Sequence, residues 1–449
     1  MEGKLKSLQH DQSDGAYRKN SITLGGAVAM GTGVMIGAGI FALTGQIAEL
    51  AGPLFPLAFI AGAVVTAFSA YSYIRMSNTW PSSGGIAMIL QKCYGLGAIA
   101  AGAALLMALS MVIAESLVAR TFATYVLQPF DIADGPLVPV LAVAVILFAF
   151  LVNVAGNRSV GLFSLVMAAI KIGGIALFGI AALWSSGFGF AAATESGREF
   201  TATGFVASVA LAILAFKGFT TITNSGAEIT EPRRNVGRAI TVSIALCVVV
   251  YLLVAFGVGS SLTIDEIIEA RDYSLAEAAE PALGQVGFLL TVLLAAVATA
   301  SGILASVFAV SRMLAMLTDM EMIPHSHFGM SGPIQRHTLI YTVVIASTLA
   351  VFFDLGRIAS LGAFFYLVMD MIIHWGVFRF RRREIGAASP VLLAALAFDA
   401  VVLAAFTAMK LQSDPAIVLY AAIAIGAVFG FERIYLSRWL GPKAEREGG

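Results

Sequence analysis

Apolar stretches long enough to cross a lipid bilayer recur along the whole chain and are separated by short polar connections. A helix needs about 20 residues to span the hydrocarbon core of a membrane. The predicted spans fall at residues 22–47, 53–74, 98–128, 136–154, 160–184, 203–227, 236–260, 285–311, 338–353, 357–378, 389–409 and 415–435. This pattern indicates an all-α integral membrane protein with about twelve transmembrane helices.

The composition excludes a soluble globular domain. Of the 449 residues, 59% are hydrophobic and 12% charged, and the mean hydropathy is +0.89. The 45 glycines suit close packing between membrane helices. The formal net charge is zero, so no nucleic-acid partner is implied. The two cysteines predict neither a disulfide framework nor a zinc site.

The charges of the polar connections alternate from one side of the membrane to the other. On the side that holds residue 1 lie 20 of the 27 lysines and arginines, whereas four lie on the opposite side. Because basic residues collect in cytoplasmic loops, both termini are predicted to be cytoplasmic, as tails over residues 1–21 and 436–449. The predicted location is the plasma membrane.

A glycine-rich stretch lies in the middle of the first predicted span, where Gly33, Gly37 and Gly39 follow one another closely. Glycine is costly inside a helix, and lipid offers no partner for free backbone groups. The stretch therefore predicts a helix that opens at this point and directs its backbone groups at a polar ligand, as in many secondary transporters. The alternative is that the glycines only allow close helix packing.

A second irregularity lies in the sixth predicted span, where Lys217 and Gly218 stand side by side near the centre. This span is five places after the first. Because five is odd, a unit of five spans that repeats along the chain must be inverted in the membrane. Interrupted helices at matching positions predict an inverted-repeat transporter with its site at mid-depth. The predicted domains are a first repeat at 22–184, a second at 203–378 and two further spans at 389–435.

Several motifs resemble those of the amino acid–polyamine–organocation superfamily. They are Gly-Ala-Gly-Ile-Phe at 37–41, the run from Phe216 to Ile240, the pair Ser311-Arg312 and the later Pro324. The lysine in the fifth span, Lys171, makes the chain most similar to the ApcT-like proton-coupled amino acid permeases within this superfamily. The resemblance implies a five-plus-five inverted repeat (LeuT-like fold), discontinuous helices 1 and 6, and alternating access. Lys217 and Glu115 depart from the family's pattern.

The same resemblance implies a site for a zwitterionic amino acid between the two interrupted helices. The substrate carboxylate would meet N–H groups around Gly37 and Gly39, and its ammonium would meet carbonyls near Ile36 and Phe216. The predicted substrate-binding residues are Ile36, Gly37, Ala38, Gly39, Ile40, Phe216, Lys217, Gly218 and Phe219. Phe216 is expected to form a wall or gate, although most phenylalanines in such a chain face lipid or fill gaps.

Lys171 lies midway along the fifth span, too far from either end to reach water easily. A charge at the bilayer centre costs at least ~2.5–3.5 kcal/mol, and intramembrane ionisable groups are functional by default. We therefore predict that Lys171 is the proton-coupling residue: the charged amine donates to carbonyls of the first span, and the neutral amine releases them. The alternative is a permanently charged structural lysine.

Other polar groups within the spans belong to less specific hypotheses. Lys217 and Glu115 lie at mid-depth and are expected to pair or to share a cavity, unless Lys217 extends to the interface. Thr299 and Ser301 are candidates to bond the amine of Lys171. A further pair, Asp370 and His374, one turn apart in the tenth span, is assigned either to an inner gate or proton exit, or to a cap on the neighbouring basic cluster.

The sequence therefore predicts a proton-coupled amino acid symporter that works by alternating access. No catalytic or phosphate-binding motif occurs, so neither an enzyme nor an ATP-driven pump is expected. No cofactor or metal is predicted; the proton is the coupling ion, and sodium is the less favoured choice. An exchanger or a sodium symporter of the same fold, and an amino acid sensor without flux, stay open. The expected partners are an amino acid and the lipid bilayer, and no oligomeric state is predicted.

Overall fold

The computed structural model describes residues 20–82, 84–95, 97–133, 135–155, 160–193, 200–319 and 334–439. Most of the two predicted tails and Pro324 lie outside the described residues. Apart from one isolated bridge between Ile22 and Ile229, the described residues form helices, turns and bends. The prediction of an all-α protein is confirmed.

Sixteen α-helices follow one another in the described residues. The first eight are α1 Leu24–Val34, α2 Ile40–Ala51, α3 Phe55–Thr79, α4 Gly85–Tyr94, α5 Ala98–Leu127, α6 Leu137–Ala155, α7 Val160–Ser185 and α8 Ala202–Phe216. The others are α9 Thr220–Asn224, α10 Pro232–Ser261, α11 Ile264–Glu269, α12 Ser274–Asp319, α13 Ile334–Phe352, α14 Leu355–Gly376, α15 Ser389–Ser413 and α16 Pro415–Trp439.

Within the described residues, ten helical segments are long and apolar enough to cross a membrane. Two shorter apolar helices, Leu24–Gly37 and Leu339–Phe352, lie at the positions of the first and ninth predicted spans. The multi-pass membrane architecture is thus confirmed, while the count of twelve spans and the inverted repeat stay predictions. α12 turns sharply at Gly284, whose φ of +67° favours glycine, and the predicted eighth span begins there.

Two short helices were not predicted. α4 is only ten residues long and follows α3 on the same side of the bundle. α11 lies in the acidic connection before α12, where Thr263 and Glu266 form a capping box that satisfies the free N–H groups of its first turn. Both are shorter than a bilayer-spanning helix, so the span pattern carries no signal for them.

The glycine-rich stretch forms a π-helical turn over Met35–Gly39, between α1 and α2. The flanking residues Val34 and Ile40 keep right-handed helical torsion angles, so the chain remains helical throughout. This differs from the predicted opened helix. A wider helical turn loosens the α hydrogen-bond pattern locally without exposing a run of unpaired backbone groups to apolar surroundings.

The second predicted interruption is a 3-10 turn over Lys217–Phe219, between α8 and α9. Its flanks at Phe216 and Thr220 are also right-handed helical. Both irregular turns therefore lie where the sequence predicts them, but each is a change of helix type and not an unwound segment.

Two glycines let the irregular turns touch. A Cβ atom added to Gly39 would lie 2.7 Å from the carbonyl oxygen of Ala215, at the end of α8. A Cβ added to Gly218 would lie 2.8 Å from the backbone nitrogen of Met35. Each glycine thus faces the other helix at its irregular turn, and packing is one of its roles.

The ends of these helices are tied together on both sides of the bundle. Before α1, the N–H of Ile22 donates to Glu228 O at 2.9 Å, and the N–H of Thr230 donates back to Ile22 O at 2.8 Å. At the other end, Gln46 of α2 donates to Asp272 at 2.6 Å. These hydrogen bonds join the start of α1 to the segment after α9, and α2 to the segment before α12.

Gly39→Ala should destabilise the protein, because its methyl group meets backbone and the Tyr251 hydroxyl at 2.6–3.0 Å. Overpacking of this kind costs about 1–3 kcal/mol. The matched control is Gly33→Ala in the same helical run, where nothing lies within 4 Å of the added atom. Thermal unfolding in detergent should show a lower midpoint for Gly39→Ala only. Equal midpoints for the two variants would contradict the close approach.

Candidate functional site

A small cavity of about 40 Å³ lies between the end of α1, the helix α5, the 3-10 turn with α9, and α12. Its lining residues are Val34, Met111, Ala114, Lys217, Gly218, Thr220, Thr221, Ala305, Ser306 and Ala309. Small-molecule sites are commonly ~300–1,000 Å³. The cavity is therefore much smaller than a typical small-molecule site in this conformation.

A tyrosine on α10 bridges the two irregular turns. The hydroxyl of Tyr251 lies 2.6 Å from Met35 O in the π turn and 3.0 Å from Ala215 O at the end of α8. Its ring packs on Phe216 with the ring centroids 4.9 Å apart. Because the hydroxyl carries one hydrogen, it donates to either carbonyl in turn. One buried side chain thus couples both turns.

The amine of Lys171, on α7, lies against the helix that carries the π turn. It donates to Gly33 O at 3.4 Å, and a Cβ added to Gly37 would lie 3.9 Å from its nitrogen. The side chain is 4% exposed, and among the described residues no carboxylate pairs with it. The amine thus contacts one backbone carbonyl of the first span, and its role in proton coupling stays a prediction.

Lys217 points from the 3-10 turn toward α5. Its amine donates to Ser110 O at 2.7 Å and to Ser110 Oγ at 2.6 Å, and it lies 5.8 Å from the ring centroid of Tyr366. Lys217 also lines the cavity. The side chain is buried, so it does not extend to the interface.

The hypothesis that Lys217 pairs with Glu115 is not met by the geometry. Glu115, on α5, is fully buried, and neither of its carboxyl oxygens has a hydrogen-bond partner in the described part of the chain. The Ser306 hydroxyl of α12 lies beside it. The amine of Lys217 donates to Ser110 instead. Lys217 and Glu115 therefore belong to different local networks in this conformation.

Several predicted site residues do not line the cavity. Phe216 is fully buried against Tyr251, and Phe219 packs edge-on against Tyr73 with centroids 5.2 Å apart. Both rings therefore face neighbouring helices instead of the cavity. Ile36 and Ile40 are likewise fully buried in the helix packing. The backbone of Ala38 lies in the π turn between them.

The hydroxyls proposed as partners of Lys171 bond their own helix. Thr299 donates to Ala295 O at 2.6 Å, and Ser301 donates to Ala298 O at 3.0 Å. In this conformation neither hydroxyl bonds the amine of Lys171. An added Cβ at Gly37 would nevertheless lie 3.5 Å from Ala298 O, so α12 packs closely beside the π turn.

Asp370 and His374 belong to a second buried polar network. On α14, Asp370 accepts from Ser69 at 2.6 Å and from the hydroxyl of Tyr73, both on α3. His374 Nε2 lies 3.4 Å from Asp370 and 3.3 Å from Asp399 of α15. Because the three titratable residues are wholly buried, they do not cap the basic cluster at the helix end.

Sequence reasoning missed Tyr251, Ser110 and Asp399. Tyr251 and Asp399 had a usable signal, since each is a polar group in the middle of an otherwise apolar span. Ser110 had none, because a serine in a membrane helix commonly bonds its own backbone.

The fold and these contacts define a membrane protein in which two irregular helices meet beside an internal cavity and a buried lysine, an arrangement typical of secondary transporters. The chain belongs to the amino acid permease family, whose profile matches residues 22–429. That family assignment confirms the predicted superfamily.

Relatives share most of the length of the chain. The inner membrane transport protein YbaT of Escherichia coli is 29% identical over 85% of this chain and 88% of its own. The uncharacterized protein MJ0609 of Methanocaldococcus jannaschii is 28% identical over 79% and 82%. The branched-chain amino acid permease BcaP of Lactococcus lactis is 26% identical over 80% and 81%. Family and relatives together support amino acid transport by a multi-pass membrane protein, and not an enzyme.

Tyr251→Phe should lower the stability of the protein by about 1–3 kcal/mol, because it leaves a buried carbonyl without its donor. Thermal unfolding in detergent measures the effect. The control is Tyr366→Phe, which removes a buried hydroxyl that has no hydrogen-bond partner among the described residues. A Tyr251→Phe midpoint equal to that of wild type would show that the hydroxyl does not hold the two turns.

Proposed function

We propose that this chain is a proton-coupled symporter for neutral, apolar amino acids. The observation that carries the proposal is the contact of the Lys171 amine with Gly33 O, beside the π turn in the first helix. A buried amine can exist in either protonation state when it donates to a backbone carbonyl and has no carboxylate partner. Because Lys171 contacts the first helix, a change in its protonation would act directly on the helix that is proposed to bind the substrate.

The substrate would bind where the two irregular turns meet. Its carboxylate would accept from N–H groups of the turn around Gly37 and Gly39, and its ammonium would meet the carbonyls now bonded by Tyr251. Since the cavity is only about 40 Å³, binding requires α1, α2 and α8 to move relative to α12. This movement is the one that alternating access supplies.

The coupling step follows from charge and hydrogen bonding. Charged Lys171 donates to the first helix and holds the closed geometry. When the amine loses its proton to water on the inner side, it loses a donor and a charge, and the helix is free to move. Sodium is less favoured, because the Lys171 amine already supplies a cationic group beside the first helix.

The cavity lining supports an apolar substrate side chain. Met111, Ala114, Ala305 and Ala309 supply apolar surface, while Lys217 supplies the cationic group. A positive charge here disfavours cationic side chains by like-charge repulsion. The name of the branched-chain permease among the relatives agrees with a neutral, apolar substrate.

Lys171→Ala should abolish the rise in amino acid uptake that acidification outside the vesicle produces. The reason is that alanine cannot exchange a proton at the first helix. The measurement is uptake into proteoliposomes with and without an imposed pH gradient. Lys92→Ala is the control, because Lys92 lies near the ring of Trp80 at a helix end, away from the cavity. Acid-stimulated uptake by Lys171→Ala would overturn the coupling proposal.

Lys217→Met should let cationic amino acids compete for the site, because it removes the positive charge beside the cavity. The measurement is inhibition of neutral amino acid uptake by arginine or lysine. Ser110→Ala keeps that charge while it deletes one acceptor, so this variant should still exclude cations. If cations inhibit wild type and Lys217→Met equally, Lys217 does not set selectivity.

A further inference from the structure

The buried network around His374 contains more acid than its cationic groups can neutralise. Two carboxyl groups, Asp370 and Asp399, face one imidazole, and all three side chains are fully buried. Among the described residues, neither carboxylate pairs with a lysine or an arginine. A protonated His374 therefore balances one carboxylate only, and a second ionised carboxylate in this apolar interior would be strongly unfavourable.

Hydrogen bonding distinguishes Asp370 from Asp399. Its two oxygens accept from Ser69 and Tyr73, and donors of this kind favour a charged carboxylate. His374 Nδ1 shares a hydrogen bond of 2.8 Å with Ser72, which fixes the ring and leaves Nε2 facing the carboxyl groups. His374 Nε2 thus faces both carboxyl groups, and of the two only Asp370 has further hydrogen-bond donors among the described residues.

Asp399 is the remaining group. Both of its oxygens lack a hydrogen-bond partner among the described residues, although one lies 3.3 Å from His374 Nε2. No donor comparable to Ser69 or Tyr73 stabilises its charged form. The network is neutral only if one more positive charge binds at this carboxyl group. A proton can supply that charge without the additional ligands that a metal ion needs.

The helices that pack against α15 supply no other neutralising charge. α14 contributes Tyr366 besides the acid–imidazole pair, α3 contributes Tyr73, and α8 carries no titratable side chain. The other described titratable groups on elements packed against α15 are Arg357 of α14, Tyr71 and Arg75 of α3, Tyr420, Glu432 and Arg433 of α16, and Arg379 and Arg381 of the π turn after α14. Arg381 bonds Glu384 and Lys92 O, and in the described structure none of this set forms an ion pair with Asp399.

We propose that Asp399 is a proton-binding site, separate from Lys171, that keeps α15 joined to α14 and α3 while its proton is bound. When the O–H bond of the carboxyl group breaks, the proton passes to water at the side where α3 and α14 end. The network then carries a net negative charge, which favours hydration and separation of the three helices. The role in the transport cycle rests on the proposed symport function, whereas proton binding itself does not.

The test is infrared difference spectroscopy of the purified protein in lipid as the pH is raised. Wild type should lose carbonyl bands of protonated carboxyl groups and gain carboxylate bands. Asp399→Asn should lack one of these bands, the one that belongs to Asp399. Glu432→Gln is the matched control: it alters another fully buried carboxyl group whose oxygens have no partner in the described structure, so the Asp399 change should persist.

Labelling of aspartate carboxyl carbons with ¹³C tests the assignment in wild type, should Asp399→Asn fail to fold. Among the described residues, the fully buried carboxyl groups without a partner outside the network are Glu115 and Glu432, which are glutamates. A pH-sensitive band that shifts with the aspartate label supports the proposal, and one that does not shift overturns it.

A divalent metal is the competing way to neutralise this network, since one atom from each of Asp370, His374 and Asp399 lies within 4.8 Å of the others. In that case about one equivalent of metal should copurify, and the protonated band should appear only after chelation; this result overturns the proposal. The spectroscopic result is independent of transport. If wild type shows no acid-stimulated amino acid uptake, that result would refute the symport function but not proton binding by Asp399.

Discussion

The structure depends on one constraint: a backbone carbonyl inside a membrane must find a donor within the protein. The irregular turns Met35–Gly39 and Lys217–Phe219 disturb the α-helical pattern where no lipid or water replaces it. Tyr251 and Lys171 provide donors from two neighbouring helices. In the proposed function a substrate ammonium would take the place of the Tyr251 hydroxyl, because both groups donate hydrogen bonds to carbonyls.

The two intramembrane amines form hydrogen bonds that can break when the helices move. Lys171 and Lys217 both donate to backbone carbonyls, and neither has a carboxylate partner among the described residues. Breaking a buried ion pair by removal of one partner costs about 3–5 kcal/mol, whereas a hydrogen bond to a carbonyl is worth less and is replaced by water or substrate. The acidic groups are kept apart, with Glu115 on α5 and the aspartates on α14 and α15.

The span pattern and the positions of both irregular turns were predictable from sequence, since apolar length and mid-span glycines are local signals. The sequence also marked Lys171 as a charged residue in the middle of an apolar span, and in the structure its amine donates to Gly33 O of a neighbouring helix. The type of each turn was not, since π and 3-10 geometry depend on donors such as Tyr251 that arrive from elsewhere in the chain. The network of His374 needed Asp399, 25 residues further along and on another helix. That pairing is set by tertiary packing alone.

The most direct measurement of the central claim is a structure of the protein with a bound neutral amino acid in lipid. The substrate carboxylate is expected at the N–H groups of Gly37–Gly39 and its ammonium at the carbonyls of Met35 and Ala215, with the Tyr251 hydroxyl displaced. A substrate bound elsewhere, such as the surface groove lined by Pro81, Glu231 and Arg234, with both turns unchanged, would contradict it.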